Sequence, residues 1–517
     1  MGSRLLRAAL AALLVALAIG VAQQQGLIEQ RHLHQLHLLR GRLLQQPAVA
    51  AAVDRLRALF PGLGALLPRP GEPGCSCGNV TEAASEEAAC NLEGNVTDCC
   101  CTYAAVERVN RDTVKPLIDE LVKTPFFRYF KVDLYCECPL WPDDGMCSLR
   151  DCSVCECEEQ EVPEPWRKAE AHESQVDRTL SPHVKASLLS VRDWRGYRNP
   201  WMPEGDDKVE YSYVNLLRNA ERYTGYKGEH AARVWTAIYG QDMFKGINSP
   251  TTAPEQRVFY RLISGMHSSI TAHICGDYLI DEATQTWGPN LEMFKWRLGN
   301  PAVKDRVENL YFSYLFVLRA AMKAAPLLSA ADYNTGSPEE DAGTRDLMRK
   351  LVHSEELQRA CPIPFDEGRL WKGEHSEGLR AELQGEHSEG LRAELQATFH
   401  NITRIMDCVG CEKCKMWAKL QLLGIATSLK ILFSAESCGS EVANIQGGTP
   451  GLHGLVLERN EVIALFNTLE RLAAGVEVVR DLSLQLSGNG GAHPGGLGAI
   501  QDVTQGQPLP EKLRKQA

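Results

Sequence analysis

Cys408, Cys411 and Cys414 recur every third residue in Asp407-Cys-Val-Gly-Cys-Glu-Lys-Cys-Lys-Met-Trp417. On a helix that spacing lines them up along roughly one face. The stretch that follows, Met416 to Phe433, has apolar residues at helical intervals (Leu420, Leu423, Ile425, Leu429, Leu432) and no proline. A buried helix is predicted, with the cysteines in its first turns. The unpaired N–H groups of a helix start, with Lys413 and Lys415 beside them, favour a thiolate. Cys411 and Cys414 form a CxxC, in which two thiols can close a small, readily exchanged disulfide. A redox pair is the leading reading, and two others stay open. Structural bridges explain many secreted cysteines, although three so close on one helix cannot all pair with one another. A metal site wants a fourth ligand. No Cys or His follows within a dozen residues, and Lys415-Met-Trp-Ala418 does not continue an iron–sulfur run.

The chain has 517 residues, 18 cysteines and a formal net charge of −11. That length can bury a large core, and so many cysteines imply an oxidising compartment or several metal sites. The acidic balance and the lack of a Lys/Arg-rich patch argue against a nucleic-acid partner. Arg4 and Arg7 precede the apolar run Ala8 to Val21, with small residues placed for cleavage near Ala22-Gln23, which reads as a secretory signal peptide. No later segment reaches about 18 uninterrupted apolar residues, so the mature chain is expected to be soluble in a secretory compartment. Asn79, Asn95 and Asn401 each open an Asn-X-Thr glycosylation acceptor. The chain ends Lys515-Gln516-Ala517, unlike KDEL. Retention would therefore fall to partner proteins or to peripheral association with a membrane.

Five regions are predicted: 1–22 signal peptide, 23–74 helical and linker extension, 75–165 cysteine-rich, 166–486 helical, and 487–517 a Gly/Pro/Gln-rich disordered tail. The cysteine-rich region holds twelve of the eighteen cysteines. Between its clusters, Ala104 to Phe130 reads as helix with breaks near Pro116 and Pro125. Cys147-Ser-Leu-Arg-Asp-Cys152 lies between Asp143-Asp144-Gly145 and an acidic segment from Glu156 to Glu164. Those flanks predict an exposed, flexible loop, where a disulfide is open to exchange with other proteins; a simple loop staple fits equally well. Helices are predicted over Tyr211–Tyr223, Glu229–Tyr239, Pro254–Ile280, Leu291–Arg297, Ala302–Ala325 and Asn460–Leu486. β-branched alternating runs are scarce, so the fold class is all-α. Gly373–Gln384 is repeated without change as Gly385–Gln396. Two copies cannot build a solenoid, and 374–396 reads as an insertion in an exposed loop or helix with no function.

Several stretches occur in a common order: Phe127-Arg-Tyr-Phe-Lys-Val132, Cys138-Pro-Leu-Trp141, Arg150-Asp-Cys152, Glu221-Arg-Tyr-Thr-Gly-Tyr-Lys-Gly228, Phe259-Tyr-Arg-Leu-Ile-Ser-Gly-Met-His267, Asn309-Leu-Tyr-Phe312 and Asn401-Ile-Thr-Arg-Ile-Met-Asp-Cys-Val-Gly-Cys411. Over roughly residues 75 to 480 the chain resembles the endoplasmic reticulum oxidoreductin family, flavin-dependent sulfhydryl oxidases that oxidise protein disulfide isomerase. The resemblance implies a single large helical domain with a four-helix core around FAD, plus a cysteine-rich N-terminal region whose loops are stapled by disulfides. It implies that Cys411 and Cys414 form the disulfide beside the flavin, and that Cys147 and Cys152 form a mobile shuttle pair. It also implies staples between Cys138 and Cys408, Cys75 and Cys101, and Cys77 and Cys99. Arg222, Thr224, Trp235, Ser264, His267, Arg297 and Arg306 fall on the family's FAD-contact positions. Arginines suit a pyrophosphate, Trp235 can stack on a flat ring, and Ser264 and His267 can hydrogen-bond ring or ribose atoms.

The sequence also departs from that pattern. The loop from Gln241 to Gln256 has no cysteine, although vertebrate relatives usually carry a disulfide there. The acidic linker from Glu158 to Leu180 lacks the cysteine that can lock up Cys147, whereas Cys157 matches the regulatory partner that can sequester Cys152. Extra cysteines stand at 90, 100, 136, 155, 275, 361 and 438, of which Cys136 or Cys155 is a candidate substitute switch. The implied activity is thiol oxidation in the endoplasmic reticulum lumen: electrons pass from reduced protein disulfide isomerase through the shuttle pair, the CxxC and FAD to molecular oxygen, making hydrogen peroxide. The rival from another class is a secreted, non-enzymatic cysteine-rich binding protein with structural bridges or bound zinc.

Overall fold

The computed structural model describes residues 103–141, 152–173, 199–202, 211–221, 226, 228–245, 254–281, 286–299, 307–360, 389–433, 455 and 457–487. All of them belong to one compact unit, Ser76–Ala517. The signal peptide, the 23–74 extension, the tail, Asn79, Asn95 and the cysteines at 75, 77, 99 and 101 lie outside the described residues.

Four long helices form the core. In chain order, the helices before and within it are α1 (Tyr103–Val109), α2 (Lys115–Leu121), α3 (Pro125–Arg128), α4 (Glu164–Glu173), α5 (Gly228–Tyr239) and α6 (Pro254–Gly276). They continue as α7 (Leu291–Gly299), α8 (Val307–Lys323), α9 (Ala325–Ala330), α10 (Pro338–Val352), α11 (Glu355–Ala360), α12 (Glu389–Met406), α13 (Glu412–Phe433) and α14 (Arg459–Ser487). Helices α6, α8, α13 and α14 pack together, with α8 and α14 each touching the other three. The all-α expectation with a four-helix core therefore describes the architecture. In α8 all but two of its residues are buried, including Tyr311, Phe312, Tyr314 and Phe316. A helix apolar all round belongs in the middle of a core. The others keep one apolar stripe inward, such as Val258, Leu262, Ile263, Met266, Ile270 and Ile274 of α6.

The helices approach closely where their sequences supply glycine. A Cβ on Gly265 of α6 would lie 2.2 Å from the Asn309 carbonyl oxygen of α8. One on Gly424 of α13 would lie 2.7 Å from the Ala464 carbonyl oxygen and 2.2 Å from Thr468 Oγ1, both on α14. Backbone cannot retreat from such contacts as a side-chain tip can.

Two short sheets interrupt the helical expectation. Tyr129–Val132 (β1) pairs antiparallel with Ser212–Asn215 (β2), Phe130 opposite Val214. Tyr278–Asp281 (β3) pairs with Thr286–Gly288 (β4). The helix predicted over Tyr211–Tyr223 is therefore absent at its start, and that predicted over Pro254–Ile280 ends at Gly276. Three or four residues are too few for a period to distinguish strand from helix; the partner of β2 lies about eighty residues away, whereas β3 and β4 form a local hairpin. Near the N-terminal side, Pro116 does not end the helix: a π-helical stretch over Asn110–Val114 carries α1 into α2, and Pro116 stands directly after it. The duplicated segment is also more than an insertion. Its second copy runs into α12, where Leu395 is 3% exposed, a burial worth about 1.5–3 kcal/mol. Among the described residues no helix is long and apolar enough to cross a membrane.

Gly424→Ala is expected to cost about 1–3 kcal/mol by forcing α13 and α14 apart, read as a lower denaturation midpoint. An unchanged midpoint would show that the helices can separate freely.

Candidate active site

Helix α12 unwinds after Met406: the Cys408 and Val409 amides bond three residues back, to Ile405 and Met406, at 3.0 and 3.1 Å. Cys408 sits in this turn and is joined to Cys138 by a disulfide. The turn is also held by Lys419, which pairs with Asp407 and donates to the Asp133 carbonyl at 2.9 Å. After Val409-Gly410 the chain re-enters helix with Cys411 as the N-cap of α13. Its Sγ accepts the Cys414 N–H at 3.4 Å, the position that a Ser or Thr oxygen commonly fills. The expectation of three cysteines along one helical face is thus corrected. Only Cys414 is on the helix, because the chain turns between Cys408 and Cys411. Cys411 and Cys414 are 1% and 0% exposed, and the first turn of α13 presents N–H groups and the positive end of its dipole to this pair.

Cys152 lies against them. Its carbonyl oxygen is 3.9 Å from Cys411 Sγ, it is buried, and it is disulfide-bonded. Cys147 lies outside the described residues. Of the predicted exposed, flexible loop Cys147–Cys152 only Cys152 is described, and it is buried; the flank that follows is mostly exposed, yet its backbone is held along β2 and the turn after it. The Cys157 N–H donates to the Tyr213 carbonyl at 2.8 Å, and Glu156 bridges to Val214. The Val154 N–H donates to Glu412 Oε2 at 2.9 Å, and Arg218 forks onto both Glu161 oxygens at 2.8 Å. Sequence composition registered the acidic residues but not the backbone partners waiting for them. Cys157 is a half-buried free thiol, 3.5 Å from Arg218 Nη2, and burial pushes its pKa up. Cys155 is free and exposed. Cys136 is a free thiol that donates to Asp133, and burial followed by that bond pushes it up to about 11.

A second cluster gathers residues from α5, α6 and α8. The Trp235 and His267 rings stack at 3.6 Å with planes 7° apart, and Tyr239 Oη lies 3.0 Å from His267 Nδ1. Ser264, fully buried, accepts from Asn309 Nδ2 at 2.8 Å, and Asn309 Oδ1 accepts from Arg261 Nε at 3.0 Å. Arg297 on α7 is half-buried, its Nε 3.3 Å from Met293 Sδ. Arg222, Thr224 and Arg306 lie outside the described residues. On α13, Gln421 is 1% exposed and its Nε2 has no partner; seven residues after Cys414, it shares that cysteine's face. An aromatic shelf, a guanidinium and an orphaned buried donor fit a flat, hydrogen-bonding, phosphorylated cofactor such as FAD. Asn401 is exposed on α12, with Nδ2 3.3 Å from Gln241 Oε1.

A buried contact between Glu221 and Arg471 joins the two clusters, and the sequence reading missed it. Glu221 pairs with Arg471 of α14, whose guanidinium lies 4.3 Å over the Trp417 ring, one turn past Cys414. The Arg471 carbonyl accepts from Ser269 at 3.3 Å and lies 3.3 Å from His273 Nε2, on the helix that carries His267. Burial pushes the Glu221 carboxyl up to about 8, with Arg471 pulling it down and Cys411 adding to the rise. Burial likewise holds His273 neutral, pushed down to about 3. Tyr226 Oη donates to the Cys414 carbonyl at 2.8 Å. Arg471 interrupts an apolar helix, which was the available signal; Glu221 had none.

A family model described as Endoplasmic Reticulum Oxidoreductin 1 (ERO1) matches residues 113–479. The chain is 47% identical over 407 residues to "Endoplasmic reticulum oxidoreductin-1" of Arabidopsis thaliana, covering 76% of this chain and 80% of that protein. It is 32% identical to "ERO1-like protein alpha" of Homo sapiens, covering 77% and 91%. Among solved structures it is similar to a cysteine mutant of S. cerevisiae Ero1p, with a TM-score of 0.50 and 26% identity over 74% of this chain and 98% of that one. A second Ero1p structure, with the same TM-score, is described as the source of disulfide bonds for oxidative protein folding in the cell.

The raised pKa of Glu221 has a measurable consequence. Between the ordinary value of 4.5 and about 8, the folded chain holds a proton that the unfolded chain has released. This contribution to stability is therefore complete at acid pH and is lost as pH rises towards the folded value. Glu221→Gln, which keeps the shape and cannot ionise, should flatten that decline in melting temperature between about pH 5 and pH 9. An unchanged profile would place the proton elsewhere.

Proposed function

The chain belongs to the endoplasmic reticulum oxidoreductin family, and from that premise we propose that it is an FAD-dependent thiol oxidase of the endoplasmic reticulum lumen. It oxidises reduced members of the protein disulfide isomerase family, with oxygen as final acceptor and hydrogen peroxide as product. The observation that carries this reading is the 3.9 Å approach of the Cys152 carbonyl oxygen to Cys411 Sγ, which sets the backbone of a disulfide-bonded cysteine from one chain region against the buried CxxC of another.

A substrate thiolate attacks the Cys147–Cys152 disulfide, and a second substrate thiol resolves the mixed disulfide, leaving the substrate oxidised and the pair as a dithiol. That dithiol reduces Cys411–Cys414 by the same two attacks, so two electrons and two protons move inward at each stage. Cys411 takes the incoming attack, since it faces Cys152. Cys414 lies deeper, on the face it shares with Trp417 and Gln421. Bound FAD supplies a two-electron acceptor that oxygen can reoxidise. Trp235, Ser264, His267 and Arg297 would hold it, together with Arg222, Thr224 and Arg306. Exchange alone only moves disulfides between proteins, so net disulfide formation needs such an outlet. The staple between Cys138 and Cys408 keeps the turn that presents Cys411 in place, and burial of the CxxC keeps protein thiols from reaching it except through the shuttle pair.

An absorbance spectrum of the purified protein should show flavin bands at about 450 nm that bleach with dithiothreitol and recover in air. A folded, colourless protein would leave the cysteines as staples or metal ligands. Cys411→Ala or Cys414→Ala should retain the flavin while oxygen consumption with reduced isomerase falls to background; continued turnover would overturn the route.

A further inference from the structure

Asn219 is 0% exposed and is used to capacity. Its Oδ1 accepts the Cys155 N–H at 2.7 Å, and its Nδ2 donates to the Cys155 carbonyl at 2.8 Å and to the Asn215 carbonyl at 3.0 Å. The side-chain amide thus pairs with the Cys155 peptide from both sides, as a neighbouring strand would. The Asn219 carbonyl accepts in turn from Trp417 Nε1 at 2.7 Å. One buried residue therefore ties the backbone three residues past Cys152 to the helix side chain three residues past Cys414. A polar side chain this deeply buried is costly unless every group is paired, and apart from the local bond to Asn215 the pairing of this residue links the two cysteine regions. Glu412 adds a second tie, through the Val154 N–H.

We infer that Asn219 is a positioning residue for disulfide exchange, holding Cys152 in register with Cys411. The inference rests on the shuttle reading of Cys147 and Cys152. Thiol–disulfide exchange needs the attacking sulfur in line with the bond it breaks, and a displacement of about 1 Å can cost on the order of a hundredfold in rate. Packing alone does not set such a register between two chain regions. A bidentate amide pairing does, because its geometry accepts no slippage along either backbone.

The experiment uses the full-length holoenzyme carrying Asn219→Ala, which leaves the bond from Trp417 to the residue 219 carbonyl available. Bound flavin and oxygen uptake with dithiothreitol, a thiol small enough to bypass the arm, should stay within about twofold of wild type, or the uptake should rise as Cys411 becomes less covered. Uptake with a reduced isomerase-type dithiol protein should fall at least about tenfold. Equal effects on both substrates, or none on the protein substrate, would overturn the inference. If the variant fails to retain flavin, hydrogen exchange on the wild type decides. The Val154 and Cys155 amides should exchange far more slowly than unprotected amides, and exchange at unprotected rates would overturn it. Absent oxygen uptake with dithiothreitol in the wild type would count instead against the oxidase reading.

Discussion

A buried cation organises the centre of this molecule. Arg471 pairs with Glu221, lies over Trp417, and offers its carbonyl to Ser269 and His273. Its guanidinium thus ties α14 to α13 and to the segment after β2, while its backbone carbonyl meets α6. Such a pair is expensive to bury, and it contributes little net stability compared with apolar residues of the same volume. Its value is directional. Apolar packing tolerates rotation of α13 about its axis, whereas a planar cation stacked on an indole and bonded to the Glu221 carboxyl group does not. The orientation of α13 decides where Cys414 and Gln421 point.

The mouth of the site is held differently. The turn between α12 and α13 is tied by the disulfide from Cys138 to Cys408, and by Lys419 to Asp407 and Asp133. Cys411 closes the turn by capping α13 with its own sulfur. The cysteine proposed to take the incoming attack is thus part of the scaffold that positions it. The acidic segment beyond Cys152 pairs along β2 by main-chain bonds, with Arg218 and Asn219 holding its sides. Rigidity on both sides of the contact suits chemistry that depends on the alignment of sulfur atoms.

Much of the frame was legible along the chain. The spacing of Val258, Leu262, Met266 and Ile270, or of Leu420, Ile425 and Leu429, marks helices because local periodicity reports which face is buried. Strands β2 and β3 were missed for the complementary reason: four residues carry too little pattern, and for β2 the partner strand is a tertiary fact as well. The segment 152–161 looked loose because its composition is acidic. Composition counts charges and is blind to the backbone of Tyr213 and the amide of Asn219, which bind it.

By itself, the sequence determined the cysteine-rich character of the chain, the helical class, and the CxxC with its family resemblance, since each is written in neighbouring residues or short motifs. Only the tertiary structure decided that Cys408 leaves the helix while Cys411 caps it. It alone brought Cys152 beside Cys411 and paired Glu221 with Arg471 across 250 residues. These are relations between distant segments, set by how helices pack and how buried polar groups find partners. A local pattern carries no information about a partner that lies hundreds of residues away.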